Sequence, residues 1–200
     1  MARYTGPKAR RDRRAGVMLS NMRKNPLERK PYPPGEHGRG RQRQTEFGIR
    51  LMEKQKARWY YGVSENQFRR AYDKANRMQG VTGENLLRLM ELRMDNVIFR
   101  MGFATSRPQA RQLVVHGHFL LNGRKHNIPS AILKPGDVVT VREKSRNLEP
   151  IGAAVEQVVA VPPWLEADHD NFTGRVLHTP SRDEIDTPVE EQLIVEFYSR

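Results

Sequence analysis

The sequence predicts an α+β chain, and three features carry that prediction. Residues 45–101 repeat apolar positions at helical spacing. Residues 118–141 switch to short alternating or β-branched runs, punctuated by Asn122-Gly123 and by Lys134-Pro-Gly-Asp137. Residues 1–44 show neither period. The expected order is an extended basic N-terminal arm (1–44), a helical domain (45–91), a small helix-plus-β-hairpin domain (92–155) and an irregular acidic C-terminal segment (156–200).

Each element has its own warrant. In the arm, Pro31, Pro33, Pro34 and Gly35 rule out helix. Its composition fits a disordered basic tail as well as an arm ordered by a partner. Thr45 caps a first helix that Gly62 ends, with Phe47, Leu51, Met52, Trp59 and Tyr60 on its stripe. Ser64-Glu-Asn-Gln67 has the capping-box form and opens a second helix, with Phe68, Ala71, Tyr72, Ala75 and Met78 inward and Gly80 as its end. A single third helix is expected over 84–101, stopped by Gly102. Ser106 opens a fourth, with Pro108 in its first turn and Gln109 at the third position of a capping box. A strand at 118–121 runs into Asn122-Gly123, the strongest short hairpin signal, and 138–141 is a β-branched strand. Residues 153–161 read as helical up to Pro162-Pro163. Residues 171–177 and 193–197 fit a strand or a helical turn equally.

Composition narrows the function. Hydrophobic residues make up 37% of the 200, below the usual ~45–50%, so the core is modest and a partner is expected to order part of the chain. The net charge of +12 is uneven. Residues 1–80 hold 21 Lys and Arg against 7 Asp and Glu, residues 81–150 hold 11 against 6, and residues 151–200 hold 3 against 10. A polyanion should meet the front and middle, and the back should face solvent or a basic protein. The absence of cysteine excludes disulfides and thiolate metal sites. No apolar run approaches the ~18–20 residues that span a bilayer, and the basic start lacks the apolar stretch of a secretory signal, so no membrane association and a cytoplasmic location are expected.

Candidate contacts follow from the charge. Arg107 and Arg111 lie four apart on one helix face and join Arg124 and Lys125 behind the hairpin turn, a positive face suited to structured RNA. On an unbiased chain such a stripe would be only a solvated face; the basic front tips the reading toward RNA. Gln109, His116 and Asn122 sit at the joints of the same unit. Arg50, Lys54, Lys56 and Arg58 on the first helix and Arg69 and Arg70 on the second extend the set. Arg3, Arg10, Arg11, Arg13 and Arg14 begin the arm, and Lys30, Arg39, Arg41 and Arg43 end it. Tyr32 and Tyr61 are stacking or sugar-contact candidates, whereas Trp59 and Tyr72 fit a core. Arg107→Ala, Arg111→Ala and Arg124→Ala are expected to weaken RNA binding with little effect on stability.

No catalytic or metal constellation emerges. His116 and His118, with His126 nearby, lack a carboxylate or cysteine at partner spacing, so neither a metal nor another cofactor is expected. Glu91-Leu-Arg-Met-Asp95 is superficially similar to the Arg-Leu-Asp of pseudouridine synthases. It sits late in an amphipathic helix without the strand-turn context, so an ion pair or hydrogen bond is the expected role of Asp95. No enzyme activity and no small-molecule substrate are expected.

The run ENLLRLMELRMDNVIFRMGFATSRPQARQLVVHGHFLLNGRKHNIPSAILKPGD resembles the core of the bacterial small-ribosomal-subunit S-four family. PLERKPYPPGEHGRGR, EKQKARWYYGVSENQFRRAY and EEQLIVEFYSR extend the resemblance over essentially the whole chain. It implies a primary binder of 16S ribosomal RNA that nucleates assembly of the subunit body beside ribosomal proteins S-three and S-five. It also implies an S-five interface that influences decoding accuracy, an arm ordered on RNA, and for some relatives repression of their own messenger RNA. Some relatives bind zinc through N-terminal cysteines; this chain has none, so that site does not carry over. Asp183, Glu184, Asp186, Glu190, Glu191, Glu196 and Tyr198 are the expected face toward S-five, with Ile185, Val189, Leu193, Ile194, Val195 and Phe197 docking the segment on the body. The rivals are an RNA-modifying enzyme, which needs a further catalytic domain, and a messenger repressor outside the ribosome.

Overall fold

The computed structural model describes residues 4–20, 22, 24–40, 43–157 and 160–199, and its first helix already departs from the sequence expectation. Helix α1 (Lys8–Ala15) lies in the segment expected to be irregular. Lys, Ala and Arg are good helix formers, and Gly16 closes the helix in the left-handed conformation at φ 69°. A polar staple rather than an apolar stripe fixes it. The buried Asp12 carboxylate accepts hydrogen bonds from the Leu19 N–H at 3.3 Å and from the Ser20 hydroxyl. Helix α2 (Pro26–Arg29) is capped by Asn25, whose side chain accepts from the Leu27 N–H at 3.0 Å.

A 3₁₀ turn, Glu36–Arg39, follows the proline run. A Cβ on Gly38 would lie 2.0 Å from the Pro33 carbonyl oxygen, so only glycine permits this close approach. Gly38→Ala is expected to open the turn. Limited proteolysis should cut faster within residues 30–40, while the melting of the remaining chain shifts little. Unchanged cleavage would show that the turn tolerates a side chain.

Helix α3 (Glu46–Tyr61) is capped as expected, with the Thr45 hydroxyl accepting from the Gly48 N–H at 3.1 Å and Gly62 ending it at φ 64°. Ser64 accepts from the Gln67 N–H at 3.4 Å and opens α4 (Glu65–Asn76). Helix α5 (Thr82–Glu91) follows. The chain forms two compact units, Met1–Leu86 with Asp186–Arg200, and Leu87–Ile185, so α5 carries it from the first into the second.

The single helix expected over 84–101 is in fact two. Arg93 takes an extended backbone (φ −65°, ψ 138°) and bridges antiparallel to Ile132. The Met94 and Asp95 N–H groups, orphan donors at the start of α6 (Met94–Arg100), donate to Ala131 and Pro129 carbonyls at 2.8 and 3.0 Å, and the Leu133 N–H donates to the Leu92 carbonyl at 2.8 Å. Tertiary pairing thus replaces the helical bonds without any local breaker. Helix α7 (Arg107–Val115) starts where expected, but its capping box does not form: the Gln109 side-chain oxygen accepts from the N–H and hydroxyl of Thr105 at 2.7 and 2.6 Å instead.

One five-stranded antiparallel sheet organises the second unit. Its strands are β1 (Phe119–Leu121), β2 (Arg124–Lys125), β3 (Val138–Val141), β4 (Leu165–Asp168) and β5 (Thr173–Val176), in the order β2-β1-β3-β5-β4. Leu121 faces Arg124, Leu120 faces Thr140, Val139 faces Gly174 and Glu166 faces Arg175. Helix α8 (Glu149–Glu156) begins earlier than 153 because Pro150 suits its first turn. The C-terminal segment expected to be irregular supplies β4 and β5. Leu-Glu-Ala-Asp has weak strand propensity, which hid β4; as an edge strand it exposes Glu166 and Asp168, which discourage further pairing. Val97, Ile98, Phe103, Val114, Phe119, Val139, Trp164 and Val176 fill the core, and Leu113 is buried beside them.

The remaining ambiguous run, 193–197, lies in α9 (Glu191–Tyr198), which packs on α3 in the first unit. Ile194 is buried there, and the Tyr198 and Tyr72 rings stand 4.6 Å apart.

Candidate RNA-binding surface

The hairpin is built for presentation. Asn122 (φ 50°) and Gly123 (φ 78°) both take positive φ, as a type I′ turn requires. The Asn122 side-chain oxygen accepts from the Val138 N–H and its amide donates to Asp137 Oδ1, each at 2.9 Å, which ties the turn to the start of β3. Asn122 therefore braces the hairpin. Arg124 and Lys125 stand exposed on the edge strand behind it, and among the described residues neither makes a side-chain hydrogen bond or ion pair.

The cations of α7 turn to the protein instead. Arg111 Nη1 lies 3.0 Å from Asp95 Oδ2, and Arg93 grips the same carboxylate twice, at 3.0 and 2.7 Å. Asp95 thus has the ion-pairing role expected of it. Arg107 Nε donates to Asn96 Oδ1 at 2.7 Å, and its guanidinium sits 4.5 Å from the Phe99 ring centroid. Beside them the fully buried Glu91 accepts two hydrogen bonds from Arg100 at 3.0 Å and one from the Asn96 amide at 2.7 Å. This corrects the expectation that Arg107 and Arg111 are exposed charges without structural work. Gln109 is occupied by Thr105. His116 is exposed and packs edge-on to His118, with ring centroids 5.9 Å apart. His118 Nδ1 meets the Ser145 hydroxyl at 2.9 Å; burial, then the nearby His116 and Arg142, hold its pKa below the ordinary value.

In the first unit most cations of α3 are engaged. Arg50 Nε lies 2.7 Å from Glu196, and Lys56 pairs with Glu53. Lys54 is buried with its ammonium 3.0 Å from Glu65, which Arg58 also meets at 2.8 Å. The Tyr198 hydroxyl donates to Glu65 at 2.7 Å. Burial pushes the Glu65 carboxyl up, but the Tyr198 and Lys54 hydrogen bonds and the Lys54 and Arg58 charges outweigh it and leave the pKa lowered. Tyr61 is buried, its hydroxyl 2.7 Å from Thr187 Oγ1. Lys54 and Tyr61 are thus interior residues, correcting the exposure expected of both.

The arm mixes bracing and open cations. Arg13 donates to the Tyr32 and Pro33 carbonyls at 3.0 and 3.2 Å. The Tyr32 hydroxyl accepts from Arg39 at 3.2 Å, which lowers its pKa. Arg11 lies 3.3 Å from the Tyr4 ring centroid, and burial lowers its pKa. Arg10, Arg14, Lys30, Arg39, Arg43, Arg69 and Arg70 are exposed. Arg3 and Arg41 lie outside the described residues. Lys74 and Arg77, also exposed, are absent from the sequence-derived set; their signal is helical spacing, Lys74 four residues after Arg70 and Arg77 three after Lys74.

Several of the acidic candidates are held within the unit that carries them. Glu196 pairs with Arg50, Asp186 accepts from the Tyr60 hydroxyl at 3.3 Å, and the Glu190 N–H donates to Glu53 at 3.1 Å. The Glu191 side chain lies over Gly83. Glu184 accepts from the Ser181 N–H at 2.7 Å and meets His178 at 2.8 Å, and these bonds lower its pKa. Asp183, Asp186 and Glu190 are exposed.

An exposed basic hairpin on a small sheet and a cation-rich helical unit are the features of an RNA-binding protein. Among the described residues no three His, Cys, Asp or Glu side chains gather as metal ligands, and no helix is long and apolar enough to cross a membrane. Residues 3–91 match the family described as Ribosomal protein S4/S9 N-terminal domain, and residues 92–139 match the S4 domain. Over its full length and theirs, the chain is 86% identical to small ribosomal subunit protein uS4 of Rubrobacter xylanophilus, 53% to that of Thermoanaerobacter sp. and 54% to that of Dictyoglomus thermophilum. The chain belongs to the uS4 family of small ribosomal subunit proteins, which are structural and non-enzymatic proteins of the cytoplasmic ribosome.

Proposed function

We propose that this chain is a primary binder of 16S rRNA that nucleates assembly of the small-subunit body. The observation that carries the reading is the exposed pair Arg124 and Lys125 on a braced edge strand, in a member of the uS4 family. Such cations neutralise phosphates and release counterions. Duplex RNA hides its base edges, so specificity rests on junction shape, 2′-hydroxyls and unpaired bases. The open cations of the arm and of α4 extend the contact. Asp183, Asp186 and Glu190 face a basic neighbour, ribosomal protein S-five, with S-three nearby, and the chain's own messenger RNA is a second ligand. An S-five interface that opens during decoding shifts the balance between subunit states and so sets accuracy.

Stepwise reconstitution on 16S rRNA tests the first part. Omitting the chain should block later proteins of the body, and their normal uptake would overturn the nucleating role. For the second part, Asp183→Asn with Glu190→Gln should alter misreading in a reporter assay while 16S affinity stays intact. Wild-type accuracy together with collapsed RNA binding would place these residues in the RNA contact instead.

A further inference from the structure

Of the chain's asparagines only Asn122 precedes glycine; Pro26 or a larger side chain follows each of the others. Glycine lacks a Cβ, so its backbone nitrogen can approach the asparagine side chain closely. Asn122 and Gly123 are both exposed, and water reaches them. The Gly123 N–H donates to no acceptor among the described residues. That nitrogen is a free nucleophile, while the carbon it would attack is held away. Asn122 Oδ1 accepts from the Val138 N–H and Nδ2 donates to Asp137 Oδ1, each at 2.9 Å. The Asn122 N–H also donates to the Val138 carbonyl at 2.9 Å. Asp137 is itself fixed, with Oδ2 accepting from the Lys134 N–H at 2.7 Å. These bonds keep the Asn122 side chain against the start of β3, whereas ring closure requires Cγ to swing to the Gly123 nitrogen.

We propose that Asn122 is a site of spontaneous deamidation, that its bonds to Asp137 and Val138 hold the reaction back, and that the product disarms the basic hairpin. Water is the co-reactant. The Gly123 nitrogen loses its proton to hydroxide and attacks Asn122 Cγ. The Cγ–Nδ2 bond breaks, ammonia leaves, and a five-membered succinimide forms. Water then opens the ring. Addition at Cγ leaves aspartate in the original chain; addition at the backbone carbonyl carbon leaves isoaspartate, with the chain rerouted through Cγ. Either product carries one new negative charge. In the aspartate product the Val138 N–H keeps its acceptor, but an oxygen replaces Nδ2 opposite Asp137 Oδ1. An attraction at 2.9 Å becomes a repulsion between like charges. In the isoaspartate product the added backbone methylene breaks the type I′ geometry. Both put a carboxylate beside Arg124 and Lys125, the cations offered to phosphate. The chemistry stands apart from the RNA-binding reading above; the disarming rests on it.

The test ages the full chain in mildly alkaline buffer and follows, by mass spectrometry of the Asn122 peptide, the mass gained when OH replaces NH2. The folded chain should react about 5- to 150-fold more slowly than a free peptide of residues 119–126, the rate equivalent of two net hydrogen bonds. Asp137→Ala removes one of them and should react about 2- to 13-fold faster than wild type. Leu113→Ala weakens the core without touching the turn. It should keep the wild-type rate at a temperature where circular dichroism shows both variants folded. No mass gain at Asn122 in the aged chain or in Asp137→Ala overturns the site. Equal rates in the peptide and the folded chain, or no acceleration in Asp137→Ala, overturn the protecting brace. Equal acceleration in Leu113→Ala and Asp137→Ala overturns it too, by making global opening the gate. Asn122→Asp, the direct product, should bind 16S rRNA several-fold more weakly than wild type. Wild-type affinity in that variant overturns the disarming. If the unmodified chain shows no salt-dependent RNA binding, the underlying function fails, and the mass readout still decides the site.

Discussion

Glu91→Ala is expected to destabilise the second unit by about 3–5 kcal/mol, the usual cost of breaking a buried ion pair from one side. Glu91 has no exposed surface, and the Arg100 side chain is 12% exposed. The carboxylate accepts two bonds from Arg100 and one from Asn96, and Asn96 in turn accepts from Arg107. Removing it takes both of those bonds from the Arg100 guanidinium and leaves the Asn96 amide its bond to the Glu91 backbone carbonyl alone, and each unmet donor hydrogen carries its own desolvation cost. It also loosens the junction where α5 gives way to α6. Asp95→Ala should act similarly, since Arg93 is 4% exposed and loses both bonds to that carboxylate. Urea unfolding reads the effect as a lower midpoint at unchanged slope. Exposed Glu190→Gln serves as the control and should stay within about 0.5 kcal/mol of wild type. A Glu91→Ala midpoint matching that control would mean the polar cluster does not hold the two helices in place.

What the sequence disclosed and what it hid divide along a physical line. Thr45, Gly62, Ser64 and the Asn122-Gly123 turn act on neighbours a few residues away, so their residue types suffice to locate two helices and a hairpin. The break at Arg93 depends on Ile132, 39 positions later, and no glycine or proline marks it. Helix α1 escaped because Asp12, a polar staple, takes the place of apolar periodicity. The basic character of α3 and α7 was legible, but not where those charges point. Arg50 is neutralised by Glu196, 146 residues away, and Arg111 by Asp95 from the preceding helix. A cation's availability depends on which carboxylates the fold brings to it, whereas Arg124 and Lys125 stay open because they sit on an edge strand.

Binding to 16S rRNA is expected to weaken steeply with salt. If about six phosphates are neutralised, log affinity should fall against log salt with a slope of roughly −4 to −5, a loss of roughly 300- to 1,000-fold between 50 and 200 mM. Arg124→Ala and Lys125→Ala should each flatten that slope by about 0.7–0.9 and leave thermal unfolding nearly unchanged, since exposed charges contribute little to stability. Arg111→Ala should behave differently. It removes one of two guanidinium groups from Asp95, so unfolding shifts even where RNA affinity is read at saturating stability. Leu113→Ala, in the core of the same unit, should cost about 2–5 kcal/mol without changing the salt slope of the folded fraction. Measuring both quantities on one set of variants separates the faces. Equal stability losses in Arg124→Ala and Leu113→Ala would mean the hairpin holds the fold together rather than presenting charge. A wild-type affinity that ignores salt would remove the electrostatic mechanism altogether, because release of condensed counterions makes affinity fall as salt rises.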